Sequence, residues 1–274
     1  MRVLAFGGGT DSTGILCHWA ESGKVITEPI DIILFADTGA ERPNVYEHIE
    51  RLNGGWLRDR GLPQVIVVRN DGMYGTLENN CLVKAMLPSI AYGFKSCSDK
   101  YKIRPQEKYM KKHPEVRRLW KAGEKIEKLI GYEFKEERRW AKAKVEDDHY
   151  TYRFPLVELE WNRADCVEAI ARAGLPTVGK SACFFCPSST KPEISRLEQE
   201  HPELFARALA LEDNARPNFQ TVKGLGRRFS WREYTTTKEE SEVMPCLICQ
   251  DGGGEDDDAE VPVWLRAREK STND

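Results

Sequence analysis

Three consecutive glycines, Gly7-Gly8-Gly9, separate a short apolar run, Val3 to Phe6, from a helical stretch over Thr13 to Ser22. A second apolar run, Ile30 to Ala36, is of buried-strand type and is closed by Asp37-Thr38-Gly39. The pattern then predicts a helix over Asn44 to Arg60 and a third strand over Gln64 to Arg69. Strands alternating with helices in this way imply a parallel sheet covered on both faces. Right-handed crossovers place every strand's C-terminal end on one edge, where ligands bind. The expected fold class is therefore α/β, a doubly wound parallel sheet.

Beyond Asn70 the pattern predicts a helix over Gly75 to Leu87 and a polar, cysteine-bearing loop over Ser96 to Pro105. Exposed helical pieces follow at Gln106 to Lys112 and Glu115 to Lys121, interrupted by Pro114, and then a strand over Lys125 to Gly131. Trp161 to Ala173 reads as a helix with Asn162 as N-cap and Gly174 past its end. Two further helices are expected at Lys191 to Gln199 and Pro202 to Asp213. From Pro217 onward apolar periodicity is short, and Gly252 to Asp258 is a glycine run leading into acidic residues, read as a flexible loop. These shifts divide the chain into a nucleotide-binding domain, 1–187, and a cysteine-bearing C-terminal extension, 188–274.

The 274 residues suffice for one large domain or a domain with an appended lobe, and 40% hydrophobic with 31% charged is ordinary globular composition. A net charge of -3 gives no global attraction to nucleic acid but leaves room for a local basic surface. No apolar run approaches the ~20 residues that span a bilayer. Met1-Arg2 leads straight into Val-Leu-Ala-Phe without a signal-peptide core, so a cytoplasmic location with no membrane partner is expected.

A strand delivering Gly7-Gly8-Gly9-Thr10-Asp11-Ser12 into a helix suits an anion. Glycines let the backbone turn tightly and approach phosphate oxygens unobstructed. The amides and the helix N-terminus supply positive potential there. Thr10 and Ser12 add hydroxyls, and Asp11 would cap the helix or organise a magnesium ion. A ligand-free glycine turn is the competing reading; the position between first strand and helix favours phosphate. The loop has neither the GxxxxGK[ST] of P-loop NTPases nor the GxGxxG of dinucleotide folds.

The loop resembles the SGGxDS pyrophosphate (PP) loop of the ATP-pyrophosphatase superfamily, with Gly7 where that motif has Ser. Further segments narrow the resemblance to the phosphoadenosine phosphosulfate (PAPS) reductase-like branch. Asp37-Thr38-Gly39 with Glu41 and Pro43 is similar to that branch's DTG segment. Cys97 followed by Lys102-Ile-Arg104-Pro105 resembles its Cys-then-Lys-x-x-Pro segment. Leu129-Ile-Gly131 with Glu137-Arg138-Arg139, and Phe154-Pro-Leu156 with Trp161 to Asp165, are similar to its later stretches. The resemblance spans roughly Val3 to Pro187 and implies the HUP/adenine nucleotide alpha hydrolase-like fold. It also implies that Gly7, Gly8, Gly9, Thr10, Asp11, Ser12, Asp37, Thr38, Gly39, Lys102, Arg104 and Arg138 bind ATP or an adenylyl sulfate with Mg2+. Asp11, Ser12, Cys97 and Lys102 are the implied catalytic residues.

Eight cysteines in a chain read as cytoplasmic argue for metal or redox chemistry rather than disulfides. Cys17, Cys81 and Cys166 sit in helix-like stretches and read as small buried hydrophobes. The pairs Cys183/Cys186 and Cys246/Cys249 have the CxxC spacing that grips a metal. Two arrangements stand open. In one, the four CxxC thiolates form a structural Zn2+ site. In the other, Cys97, Cys183 and Cys186 hold an iron–sulfur cluster, with Cys246 or Cys249 as fourth ligand. The resemblance favours the cluster, because Cys97 lies in the family's ligand-bearing segment; adenosine phosphosulfate reductases carry an adjacent pair there, and here Ser98 replaces its second cysteine. The family's reductases also use a C-terminal Glu-Cys-Gly-x-His tail, which this chain lacks.

The expected function is thus ATP-dependent adenylation with pyrophosphate release, coupled to sulfur transfer from a donor protein onto nucleic acid, tRNA or DNA. Thiol-dependent reduction of an adenylyl sulfate and a non-catalytic, zinc-stabilised nucleotide-binding module are the alternatives. Lys135 to Trp140 and Lys223 to Arg232 combine cations with aromatics, a pairing suited to phosphates and stacked bases. For Arg138 and Arg139 a solvated helix face is an equal reading. For Lys223 to Arg232 the flanking glycines and the non-helical spacing of the aromatics favour a ligand role.

Overall fold

The computed structural model describes residues 1–235. Cys246, Cys249 and the Gly252 to Asp258 loop lie outside the described residues.

Five strands form one all-parallel sheet in the order β3-β2-β1-β4-β5. β1 is Arg2–Phe6, and the helix α1, Thr10–Glu21, follows the glycines directly. β2 is Ile32–Asp37, α2 is Pro43–Arg51 and β3 is Val65–Arg69. After α3, Leu77–Val83, come α4, Arg104–Lys112, and α5, Pro114–Lys121. β4 is Ile126–Ile130, β5 is Tyr150–Arg153 and α6 is Arg163–Arg172. Two helices in contact with one another, α7, Lys191–Glu200, and α8, Pro202–Ala215, follow. This is the doubly wound α/β fold expected from the alternating pattern.

The period of two along the strands sorts side chains into two layers. Leu4, Phe6, Ile33, Phe35 and Leu129 share a core with Ile15 and Leu16 of α1, Val45 of α2 and Ile170 of α6. Val3, Ile32, Leu34 and Ile126 face the other way, onto Met110 of α4 and Val116 and Leu119 of α5. A third core gathers Ala40, Leu77, Phe184 and Phe185 with Ile194 and Leu197 of α7, Phe205 and Leu211 of α8, and the late residues Leu225 and Trp231.

Several local expectations are corrected. Ser96 to Pro105 is helical rather than a loop: a first turn, Ser96–Ser98, widens over Asp99–Ile103 and runs into α4, whose second residue is Pro105. Proline inside a helical run removes an N–H and crowds the preceding turn, and the widened turn just before Pro105 is where that is accommodated. The pieces on either side of Pro114 are not simply exposed, since Met110, Val116 and Leu119 are buried against the sheet. The long helix expected to reach Arg60 stops at Arg51 and continues as a wide turn in which Gly55 has φ 153°. The helix read from Gly75 to Leu87 is confined to Leu77–Val83, with the Thr76 side chain accepting from the Asn79 amide at 3.1 Å. β5 has no counterpart among the strands read from the sequence, because four residues are too few to display an alternation.

The pairing of α1 with α6 depends on Gly14, which faces Cys166 of α6; a Cβ there would lie 2.9 Å from both Cβ and Sγ of Cys166. Gly14→Ala should therefore cost about 1–3 kcal/mol of folding stability through overpacking. Urea denaturation would measure it, and an unchanged midpoint would refute this account of the α1–α6 seam.

Candidate functional site

The strand order reverses at β1, so the connections leaving β1 and β4 diverge over opposite faces and open a crevice at the strands' C-terminal ends. The glycine loop fills one side of that crevice. Gly8 has φ +71°, and a Cβ on it would stand 2.8 Å from Val45 and 3.1 Å from the Phe35 ring. Gly131, just past β4, approaches the loop from the other side, where a Cβ would meet the Ser12 amide nitrogen at 3.3 Å. Gly9 is the N-cap of α1 and offers no side-chain cap, so the first-turn amides are left to other acceptors.

The loop hydroxyls hold the turn itself. Gly7 N–H donates to Ser12 Oγ at 3.1 Å, and Ser12 Oγ donates on to the Gly9 carbonyl at 3.3 Å. Thr10 donates to the Val178 carbonyl, and Ser181 donates to the Gly7 carbonyl. The segment from Val178 to Ser181 thus latches the loop from outside. Sequence reading gave no signal for this latch, because it contacts the loop across more than 160 positions through ordinary residue types.

Asp11 lies beside the loop with Arg163, whose guanidinium is 3.7 Å from Asp11 Oδ1 and 3.4 Å from Thr10 Oγ1. Burial pushes the Asp11 carboxyl up to about 6; Arg163 and Arg139 oppose this, and Glu133 and Glu136 add to it. Asp11 Oδ1 and Glu136 Oε2 are buried oxygens without a hydrogen-bond partner among the described residues. Such oxygens fit the one or two carboxylate ligands that Mg2+ takes beside phosphate oxygens. Of the arginine pair, Arg139 is the member felt by Asp11, bound to Glu136 and stacked over Tyr132 at 4.6 Å. Arg138, the residue singled out from the sequence, is exposed.

The Asp37-Thr38-Gly39 segment follows β2 on the same edge. The Asp37 carboxylate, its side chain fully buried, accepts from the Gly39 amide at 2.7 Å, Tyr46 Oη at 2.8 Å and Arg69 Nε at 2.8 Å. Gly39 has φ +72°, and any side chain there would collide with Thr76. Thr38 Oγ1 donates to Glu41 Oε1 at 3.1 Å and stands 3.2 Å from Cys183 Sγ. Lys102 reaches the same Glu41 oxygen at 3.2 Å. Burial alone would lower the Lys102 ammonium, but Glu41, then Cys183, outweighs it and holds the pKa above the usual value. Arg104 does not join Lys102; it pairs with Asp99 at 2.6 Å on an exposed face.

Among the cysteines, Cys17, Cys81 and Cys166 are buried thiols, as their helical settings imply. Burial, and then Glu41, drives the Cys183 thiol far above its ordinary range, and burial raises Cys186 as well. Cys97 is close enough to influence Cys186 electrostatically. Yet among the described residues no three His, Cys, Asp or Glu side chains are grouped to hold a metal ion. Cys97, Cys183 and Cys186 are thus not grouped around a metal, and the other two candidate ligands, Cys246 and Cys249, lie outside the described residues. The Cys183 sulfur is engaged with Thr38 instead.

No family model matches the chain, and no curated protein matches it. Among solved structures it is similar to phosphoadenylyl-sulfate (PAPS) reductase from Candida auris in its phosphate complex, with 17% identity and a TM-score of 0.41 over 65% of this chain and 73% of that one. A likeness at that level carries nothing about the site. No described helix is long and apolar enough to cross a membrane.

The shifted Asp11 has a measurable consequence. Its folded-state pKa, about 6, lies above the ordinary 3.8, so the folded chain binds the extra proton between those values. Stability is then full below about pH 4 and falls as pH rises through about 6. Asp11→Asn should abolish that loss, making the variant about 1–2 kcal/mol more stable than wild type at about pH 8 after discounting for partial exposure. The gap should close at about pH 4. Urea denaturation at the two pH values checks both the sign and the window.

Proposed function

We propose that the protein is an ATP-pyrophosphatase-type enzyme that adenylates a substrate oxygen and releases pyrophosphate. The observation that carries this reading is the glycine loop at the sheet's reversal point, with the unsatisfied Asp11 oxygen and the Arg163 and Arg139 guanidinia beside it. The loop and first-turn amides suit the β- and γ-phosphates, which become the leaving group. The substrate oxygen attacks the α-phosphorus, the bond from that phosphorus to the bridging oxygen breaks, and its electron pair departs with pyrophosphate. Arg163 neutralises charge growing on that oxygen. Asp11 and Glu136 would hold Mg2+, which supplies charge neutralisation on the phosphates when bound. The Val178 to Ser181 latch keeps the loop in register, so that the amides are already aimed when charge develops.

In the second half-reaction, read from the sequence resemblance, a sulfur nucleophile replaces the activated oxygen and AMP leaves carrying it. In this reading the sulfur is supplied by a donor protein. Burial keeps Cys183 and Cys186 protonated, which supports adenylation over reductive attack on an adenylyl sulfate by either thiolate.

Incubation with α-labelled ATP, Mg2+ and sulfide in the presence of single-stranded RNA or DNA should yield AMP and pyrophosphate in equal amounts. Arg163→Met should slow release at least about a hundredfold, the scale of losing one preorganised charge at a developing anion. Tight ATP binding without AMP under every condition would overturn the reading in favour of a non-catalytic module.

A further inference from the structure

A second site stands apart from the glycine loop, in the segment after α8. Glu212 of α8 is fully buried and organises it: its carboxylate accepts from the Leu225 amide at 2.7 Å, the Trp231 amide at 2.9 Å and the Ser230 hydroxyl. Gly224 is obligatory, because a side chain there would run into the Glu212 carboxylate. Trp231 is wholly buried and stacks on Phe205, fixing the far end of the segment. Between these anchors the chain makes a tight turn, with Lys223 N–H donating to the Arg227 carbonyl and Arg227 N–H to the Gly224 carbonyl, both at 2.9 Å.

The turn forces Arg227 to φ +64°, a left-handed conformation that a non-glycine residue adopts only at a cost. What this strain positions is an arginine pair at the rim of an open cleft of about 610 Å³. Arg227, Arg228, Phe229 and Tyr92 line it, and none of the described residues that line it is acidic. Among the described residues the Arg227 side chain makes one weak bond, to the Ala91 carbonyl at 3.4 Å, and Arg228 is exposed. On a chain of net charge -3, two adjacent guanidinia on a backbone turn that is itself anchored, with no acid among the described residues lining the cleft, mark a surface for an anion. The partly exposed Tyr92 and Phe229 rings beside them mark it for an anion that carries flat, stackable groups.

We propose that this cleft binds the phosphodiester backbone of a single-stranded nucleic acid, with a base against Tyr92. Guanidinia on phosphates with aromatic rings on bases is the recurring chemistry of single-strand binding. A duplex would keep its bases stacked on one another and withhold them from the rings. At about 610 Å³ the cleft is large enough for a nucleotide-sized unit. The assignment deepens the adenylation reading by locating the acceptor strand, but the binding itself requires no ATP.

Fluorescence anisotropy of a labelled dodecamer of dT or rU, titrated with the protein in the absence of ATP, tests it. Wild type should bind with an affinity that falls as salt rises. Arg227→Gly/Arg228→Ala should weaken binding at least about tenfold and reduce the salt slope by about 1.4, two single-strand phosphate contacts' worth. Glycine accepts φ +64° without strain, so this variant keeps the turn. Tyr92→Leu should weaken binding while leaving the salt slope unchanged. Undiminished affinity in the double variant, absence of wild-type binding, tighter binding of a duplex of equal length, or displacement of the strand by an equimolar amount of AMP would each overturn the proposal. Loss of AMP release with strand binding intact would count against adenylation and leave this site standing.

Discussion

The close approach of the Gly8 backbone to the Phe35 and Val45 side chains is the constraint on which the rest of the site depends. β1 can hand its chain to α1 in so few residues only because Gly8 turns left-handed against Phe35 and Val45. The turn brings the α1 N-terminus over the end of β1, and Gly131 lets β4's continuation close in from the other side. A side chain at either glycine would push the strand ends apart and separate Asp11 from the β4 turn that carries Glu136 and Arg139. The parallel sheet supplies the edge; the glycines make the edge narrow enough for one anion to be touched from two connections.

The fold was legible in the sequence because the central strands are buried on both faces. Val3 to Phe6 and Ile30 to Ala36 are continuous apolar runs, and nothing but a covered parallel sheet gives that pattern between helices. Legibility failed where tertiary contact overrode local pattern. Ser96 to Pro105 looks like a loop by polarity, yet Tyr101 is buried in the third core and Pro105 is buried as well, which ties the segment into a helix. The glycine loop and the Asp37-Thr38-Gly39 turn were visible as motifs. The Val178 to Ser181 latch, the choice of Arg139 over Arg138 and the Glu41–Lys102 pair were not, since each depends on which side chains meet across the fold rather than on spacing.

Lys102 illustrates the difference. As a cation after Cys97 it reads as a phosphate ligand, but the structure places it on Glu41, with Cys183 and Thr38 completing a buried cluster. That cluster joins the turn after β2 to the segment carrying the first CxxC pair, an attachment strengthened by the Phe184 amide on the Ala40 carbonyl at 2.9 Å. The sheet edge and the third core are thereby welded at one point. Replacing a paired charge in such a place leaves its partner buried and alone, so conservation of charge there would be demanded by folding before any chemistry.

Accounting for hydrogen bonds separates the carboxylates by purpose. Asp37 and Glu212 are fully buried and each accepts three or more donors, so their charge is consumed in holding turns together. Glu41 uses one oxygen and leaves Oε2 unpaired beside Lys102. Asp11 and Glu136 keep an oxygen free next to the glycine loop, where a buried unsatisfied carboxylate costs stability and is tolerated only if something else repays it. A cation arriving with phosphates would do so, satisfying the oxygens and reversing the upward shift at Asp11 in one step. The same carboxylate chemistry thus builds the scaffold where donors saturate it and makes a receptive site where they are withheld.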